Sequence, residues 1–282
     1  MTTPSGISVA ITRVLSIQPY GFFVQWEVRK PVASGVYRFW LARSGGTAGP
    51  WEPVADDLHD KFCFVDRFDQ PADLATNARR PNQLAIFRQF YYRVQMLAPN
   101  GERDEYIIDG DPPIDRKSLQ HWRRALKNFQ DSLRLTGRPC LVLKRRRWGE
   151  RCPKCSDAVL REPIKSSCTT CWGTGFKGGY WNPILMSAHR VGAGDEQTNT
   201  PEGRSDTKAV RIQMQSFPDV ERDDVFVFLT DRKRFLVERV SIPEVMGNGT
   251  HQTIGAVEIP AGNILYRLPV SEDTAAPLIG RP

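Results

Sequence analysis

The sequence predicts a mainly β protein: two β domains, one helix between them, and a metal-binding insert in the second domain. Three observations carry this. Apolar and polar residues alternate with period two over many short runs on both sides of residues 112–139. Between those flanks, one apolar stripe recurs at three- and four-residue steps. Finally, Cys152-Pro153-Lys154-Cys155 is answered by Cys168-Thr169-Thr170-Cys171 after a spacer of twelve residues.

The first domain is expected over residues 1–111. Val24, Trp26 and Val28 alternate with Gln25, Glu27 and Arg29, the pattern of a half-buried strand. Tyr37, Phe39 and Leu41 share one face of the next strand. A Gly-Pro turn over 44–50 precedes Trp51, and a further strand is expected over Lys61–Asp66. A polar loop crosses Asp69 to Asn82; the late strands are Tyr92–Ala98, closed by Pro99-Asn100-Gly101, and Tyr106–Ile108. Asp56, Asp57, His59 and Asp60 read as a polar turn. Trp26 and the run Tyr92-x-Val94-x-Met96-x-Ala98-x-Asn100-Gly101 resemble a fibronectin type III sandwich over about 100 residues. In that family such domains are spacers and binding modules.

Pro112-Pro113 marks a boundary, and residues 112–139 form a linker helix capped by Asp115 and ended near Gly137. Its stripe is Leu119, Trp122, Leu126, Phe129 and Leu133, which packs either on the chain itself or between copies in an oligomer. Trp122 is therefore a candidate interface residue.

The second domain, residues 140–270, opens with the strand Leu141–Leu143 and runs into Lys144-Arg145-Arg146-Arg147-Trp148. Basic residues beside an aromatic can grip phosphates and stack on a base, so Lys144, Arg145, Arg146 and Arg147 are candidate contacts to nucleic acid or to a partner; a solvated basic face is the plainer alternative. The insert, 150–180, follows. Two thiolates on each tight knuckle can meet at a tetrahedral ion, so Cys152, Cys155, Cys168 and Cys171 are expected to hold a structural zinc, with two disulfides or four free thiols as the alternatives. Four cysteine ligands leave no position open for water, so the metal holds the fold and performs no catalysis. Cys168-x-x-Cys171-x-Gly173-x-Gly175 resembles the repeat of DnaJ-type chaperone zinc domains, as a local knuckle geometry only. The glycines predict backbone amides turned toward the sulfurs.

After the insert, Pro183–Val191 reads as a strand. Gly192–Thr207 is polar and reads as a mobile or partner-ordered loop. Strands follow around Val210–Met214, Val225–Leu229, Arg234–Val240, Thr253–Ile259 and Ile264–Pro269, making a small antiparallel barrel or sandwich. Residues 271–282 are expected to be an extended tail.

Composition excludes several functions. No run of about 18 apolar residues exists, so no membrane helix is expected. The opening residues carry no secretory pattern, and four metal-bound cysteines suit a reducing compartment. The formal charge of +7 falls to about +5 once four thiolates hold Zn²⁺, an excess that permits nucleic acid without demanding it. There is no Walker loop, no G-x-S-x-G, no H-E-x-x-H and no Rossmann fingerprint, and the four histidines are scattered.

The knuckle pair ending Gly-Thr-Gly-Phe-x-Gly-Gly-Tyr, the sandwich, and the small β domain with Asp223-Asp224-Val225-Phe226-Val227-Phe228 together resemble neck, collar and head-completion proteins of tailed bacteriophages. The resemblance implies a non-catalytic virion component, assembled in the host bacterial cytoplasm. It further implies a homo-oligomeric, twelve-fold ring against portal, connector, tail or collar proteins. The competing expectation is a zinc-ribbon nucleic-acid-binding protein.

Overall fold

The computed structural model describes residues 6–17, 21–31, 34–59, 61–67, 90–109, 116–155, 167–200, 203–245, 248–270 and 276–277. The Asp69–Asn82 loop, the Asp115 cap and most of the 271–282 tail lie outside them. The chain divides into two compact units, residues 1–114 with 147–151, and residues 115–146 with 152–282.

The first unit is a β-sandwich. Strands β1 (Ser8–Ile17), β2 (Gly21–Arg29) and β5 (Cys63–Arg67) form one sheet in the order β1-β2-β5. Strands β3 (Arg38–Ser44), β4 (Glu52–His59), β6 (Tyr91–Leu97) and β7 (Arg103–Asp109) form the other in the order β4-β3-β6-β7. All described pairings are antiparallel. Alternation does what it predicts: Tyr37, Phe39 and Leu41 are buried, as are Tyr92, Val94 and Met96 on the neighbouring strand. Trp26 packs on Phe39 at 5.4 Å between ring centroids and closes the core. One buried polar knot ties the sheets: Arg43 donates to both oxygens of Asp66 at 2.9 Å, and the Tyr92 hydroxyl donates to Asp66 Oδ2 at 2.9 Å.

The acidic stretch around His59 is a strand and not a turn. Phe39 faces Leu58 and Leu41 faces Ala55, so Asp56 and Asp57 together oppose Trp40 as a bulge, with Asp57 in the left-handed region at φ 48°. The bulge and its charges blunt an edge strand, which is a reason for acids to collect there.

The second unit is a six-stranded antiparallel barrel. Strands β8 (Arg138–Leu143), β9 (Ile184–Thr200), β10 (Gly203–Gln215), β11 (Val225–Phe228), β12 (Arg234–Ser241) and β15 (His251–Glu258) pair in the order β10-β15-β12-β11-β8-β9, and β9 pairs back to β10. Closure removes the open edges. A short ribbon of β13 (Glu244–Val245) and β14 (Asn248–Gly249) lies outside the barrel, and β16 (Ala276–Pro277) adds parallel to Ile184 and Leu185. Inward residues follow the period: Val210, Ile212 and Met214 on β10 share the buried interior with Phe226, Phe228 and Phe235, while Val225 and Val227 are buried on the opposite face with Leu141, Leu143 and Tyr180.

Helix α1 (Arg116–Thr136) belongs to the barrel unit. Its stripe is buried there within the single chain: Trp122, Leu126 and Leu133 are almost inaccessible, and Trp122 Nε1 donates to the Gly249 carbonyl at 3.1 Å. Phe129 stacks on His251 with ring centroids 4.4 Å apart. The helix ends where Gly137 N–H reaches the Leu133 carbonyl at 2.9 Å; a Cβ there would sit 2.3 Å from that oxygen.

Two expectations are corrected. Residues 192–200 and 203–207 are no loop: they are the far half of the paired strands β9 and β10, whose pairing runs from Met214 opposite Ala188 to Gly203 opposite Thr200. Backbone hydrogen bonds need no apolar side chains, so a polar strand escapes a reading based on hydropathy. Ile264–Arg267 is a 3₁₀ turn and not a strand, capped by Asn263, whose side chain accepts from Leu265 N–H at 2.9 Å.

Candidate metal centre

The two Cys-x-x-Cys knuckles meet. Sulfur atoms of Cys152, Cys155, Cys168 and Cys171 all lie within 4.8 Å of one another, and no disulfide joins any of them. Cys152 Sγ is 3.8 Å from Cys168 Sγ, and Cys155 Sγ is 3.0 Å from Cys171 Sγ. Metal–sulfur bonds of about 2.3 Å in a tetrahedron require sulfurs roughly 3.8 Å apart, so the cage has the right size. It is the one group of three or more metal-ligating side chains found among the described residues.

The local backbone explains why it forms. Trp172 N–H donates to the Cys168 carbonyl at 2.7 Å, Thr174 N–H to Cys171 at 3.0 Å, and Gly178 N–H to Thr170 at 3.0 Å. These tight returns hold Gly173, Gly175, Gly178 and Gly179 at positive φ between 71° and 81°. Gly179 is required twice over, because a Cβ there would lie 2.6 Å from the Cys171 carbonyl oxygen. Cys152 N–H donates to the Gly175 carbonyl at 2.9 Å and so ties one knuckle to the other.

The electrostatics call for a cation. Backbone amides of Thr170 and Cys171 aim at Cys168 and draw its thiol down to about 6. Amides of Gly173 and Gly175 aim at Cys171, although burial still leaves that thiol raised. Burial, reinforced by the Cys171 thiol, pushes Cys155 up. Four thiolates this close repel, and all four ionise together only around a positive ion. The residues present therefore fit a metal with four thiolate ligands and no vacant position.

The basic run is placed otherwise than a free patch would be. Lys144 is buried and its ammonium reaches Glu221 at 2.9 Å and Asp224 at 3.5 Å. Arg145 pairs with Asp223, and Arg145 N–H donates to Asp224 Oδ1 at 2.8 Å. Arg146 is buried, donates to the Tyr180 carbonyl at 3.1 Å and stacks on Trp181 at 4.2 Å. Arg147 is exposed. Asp224 is the hub: it also accepts from Glu221 N–H at 2.8 Å, and burial raises its pKa against the pull of Lys144 and the two amides. The run thus splices β8 and the knuckle to the acidic turn before β11. Sequence reasoning missed Glu221, Asp223 and Asp224 as its partners because they stand 77 to 80 positions away.

The histidines do not converge. His59 pairs with Asp57 at 3.1 Å on an edge strand, His189 meets the Thr136 hydroxyl at 3.2 Å, and His251 lies against Phe129. No helix among the described residues is long and apolar enough to cross a membrane.

Comparison with known proteins adds little. No protein-family model matches the chain, and no curated protein does. Two crystal structures of the pectate lyase Pel3 from Pectobacterium carotovorum are similar over part of their length, at 17% and 18% identity and TM-scores of 0.27 and 0.25. The overlap covers 39% and 38% of this chain and only 28% and 27% of theirs, a likeness too slight to carry an argument.

Proposed function

We propose that the chain is a non-catalytic structural protein of a tailed bacteriophage, one protomer of a homo-oligomeric ring at the neck, head–tail connector or collar. Its neighbours are portal, connector, tail or collar proteins, and twelve copies suit that position. The ion is zinc, bound by Cys152, Cys155, Cys168 and Cys171 as a structural clamp. The first unit is a fibronectin type III-like spacer; its three-plus-four strand division supports this.

The observation that carries the assembly reading is the β9–β10 arm. Beyond the pair Gly194–Ala209, the hairpin continues to Thr200–Gly203 with no third strand on either side among the described residues. That is roughly 20 Å of two-stranded ribbon at about 3.3 Å per residue. A lone two-stranded ribbon is marginal in water, and residues 194–208 contain no aromatic residue and, besides Gly194, Gly203 and Pro201, none that is not polar or charged. Two open edges of this length are stabilised by pairing with another chain, as in β-augmentation. A ring of copies supplies such a chain.

The nucleic-acid alternative loses its main support, since Lys144, Arg145 and Arg146 are occupied by acids and carbonyls of their own unit. The test is to replace residues 195–207 by an Asn-Gly turn and compare both proteins by light scattering. The full chain is expected to form a closed oligomer, and the shortened chain to be a folded, metal-loaded monomer. A full chain that stays monomeric at high concentration and is missing from purified particles would sink the reading.

A further inference from the structure

The solvent face of the four-stranded sheet in the first unit carries a cleft of about 550 Å³. Strand register builds it. Trp40, Gln95 and Glu105 form one cross-strand row, and Arg38, Leu97 and Arg103 form the next on the same face. Trp40 makes one wall; Glu105 and Arg103 make the other, two strand spacings or about 10 Å away. Gln95 and Leu97 lie between them as the floor. The core of this sandwich is already filled by Trp26, Phe39, Tyr92 and their neighbours, so the half-exposed Trp40 ring is not needed there.

The polar groups around the ring are set by the chain. Arg38 stands over Trp40 at 5.6 Å and is itself held by Asp57 at 2.6 Å, which fixes the indole from one side. Gln95 Nε2 donates to Glu105 Oε2 at 3.2 Å, leaving the amide oxygen and the second carboxylate oxygen as acceptors. Asp104 turns away and accepts Val9 N–H at 2.8 Å. Arg103 is exposed, and no ion pair to it occurs among the described residues. The cleft therefore offers one flat apolar face, two acceptors and one fork of donors, with Arg103 and Glu105 cancelling in charge.

We propose that this cleft binds a pyranose unit of a neutral polysaccharide. A sugar ring has an apolar C–H face that lies on an indole and a rim of hydroxyls that both donate and accept, which matches the two walls. A balanced charge argues against phosphate-bearing ligands, which need a basic excess. The site adds an adhesive role to the spacer unit and does not depend on the ring or on the metal.

Native gels cast with dextran, xylan or galactomannan test it with the full-length chain. At least one of these polymers should slow the protein. Trp40→Ala and the exposed change Arg103→Ala should each weaken the retardation roughly fivefold or more, the effect of one lost stacking or charged contact. Trp40→Phe should keep most of it, and all three variants should keep their metal. No retardation by any of the three polymers would overturn the proposal. So would retardation that both alanine variants share equally. Capture of a single-stranded oligonucleotide through Trp40, with no polysaccharide bound, would overturn it in favour of base stacking.

Discussion

Replacing Asp224 with alanine should cost the barrel unit about 5 kcal/mol. The carboxylate is 1% exposed and faces the Lys144 ammonium, whose side chain is 7% exposed. Stranding one partner of a buried pair costs roughly 3–5 kcal/mol. Glu221 at 2.9 Å still shares the Lys144 charge, which places the loss near the lower end, about 3 kcal/mol. The N–H groups of Arg145 and Glu221, both donating at 2.8 Å, lose their acceptor and add about 1 kcal/mol each. The second arm of the experiment is Asp224→Ala with Lys144→Met. Removing both charges leaves the two amides without their acceptor and takes Lys144 from Glu221, whose side chain is 40% exposed and stays hydrated, so the double variant should recover about 2–3 kcal/mol of the loss. Urea unfolding, followed by a probe confined to the barrel, reads both numbers. A single-variant loss under about 1 kcal/mol, or a double variant no better than the single, would refute the claim that the basic run is internal structure.

Other consequences are equally direct. Gly179→Ala should weaken metal retention and cost about 1–3 kcal/mol, since the residue would hold φ 71° with its Cβ against the Cys171 carbonyl; competition with a chelator measures it. Trp122→Glu should leave the four thiolates loaded but lower barrel stability by about 3–5 kcal/mol, because it empties a buried site and strands the Gly249 carbonyl; thermal melting with metal analysis checks both. Burial lowers the His251 pKa below its ordinary value near 6.5. The unfolded chain then takes up the proton first, so stability falls as pH drops from about 7 through the depressed folded value and is flat below it. His251→Leu should remove that part of the slope, read by hydrogen exchange in α1.

The sequence disclosed most where covalent spacing sets geometry. Two-residue gaps within each cysteine pair and the glycines after Cys171 determined the cage and its positive-φ turns, whatever the 156–166 segment does. Period-two alternation located the core strands, because one face of each is buried. It failed where hydropathy does not decide: the polar stretches 194–200 and 203–208 pair with each other as strands, and Ile264–Arg267 is one 3₁₀ turn in spite of its apolar residues. Lys144, Arg145 and Arg146 read as a solvated or ligand-gripping basic run because charge runs are legible locally and their long-range partners are not. The sequence left open whether Trp122 packs within the chain or between copies, because Gly249, its hydrogen-bond partner, stands 127 residues on.

Native mass spectrometry of the full-length chain, purified without added metal, addresses the centre of the account most directly, since it weighs the assembly and its ions together. The prediction is a closed oligomer with one zinc ion for every chain, all four cysteines reduced. A metal-free monomer, or a chain in which those cysteines are paired as disulfides, would contradict it.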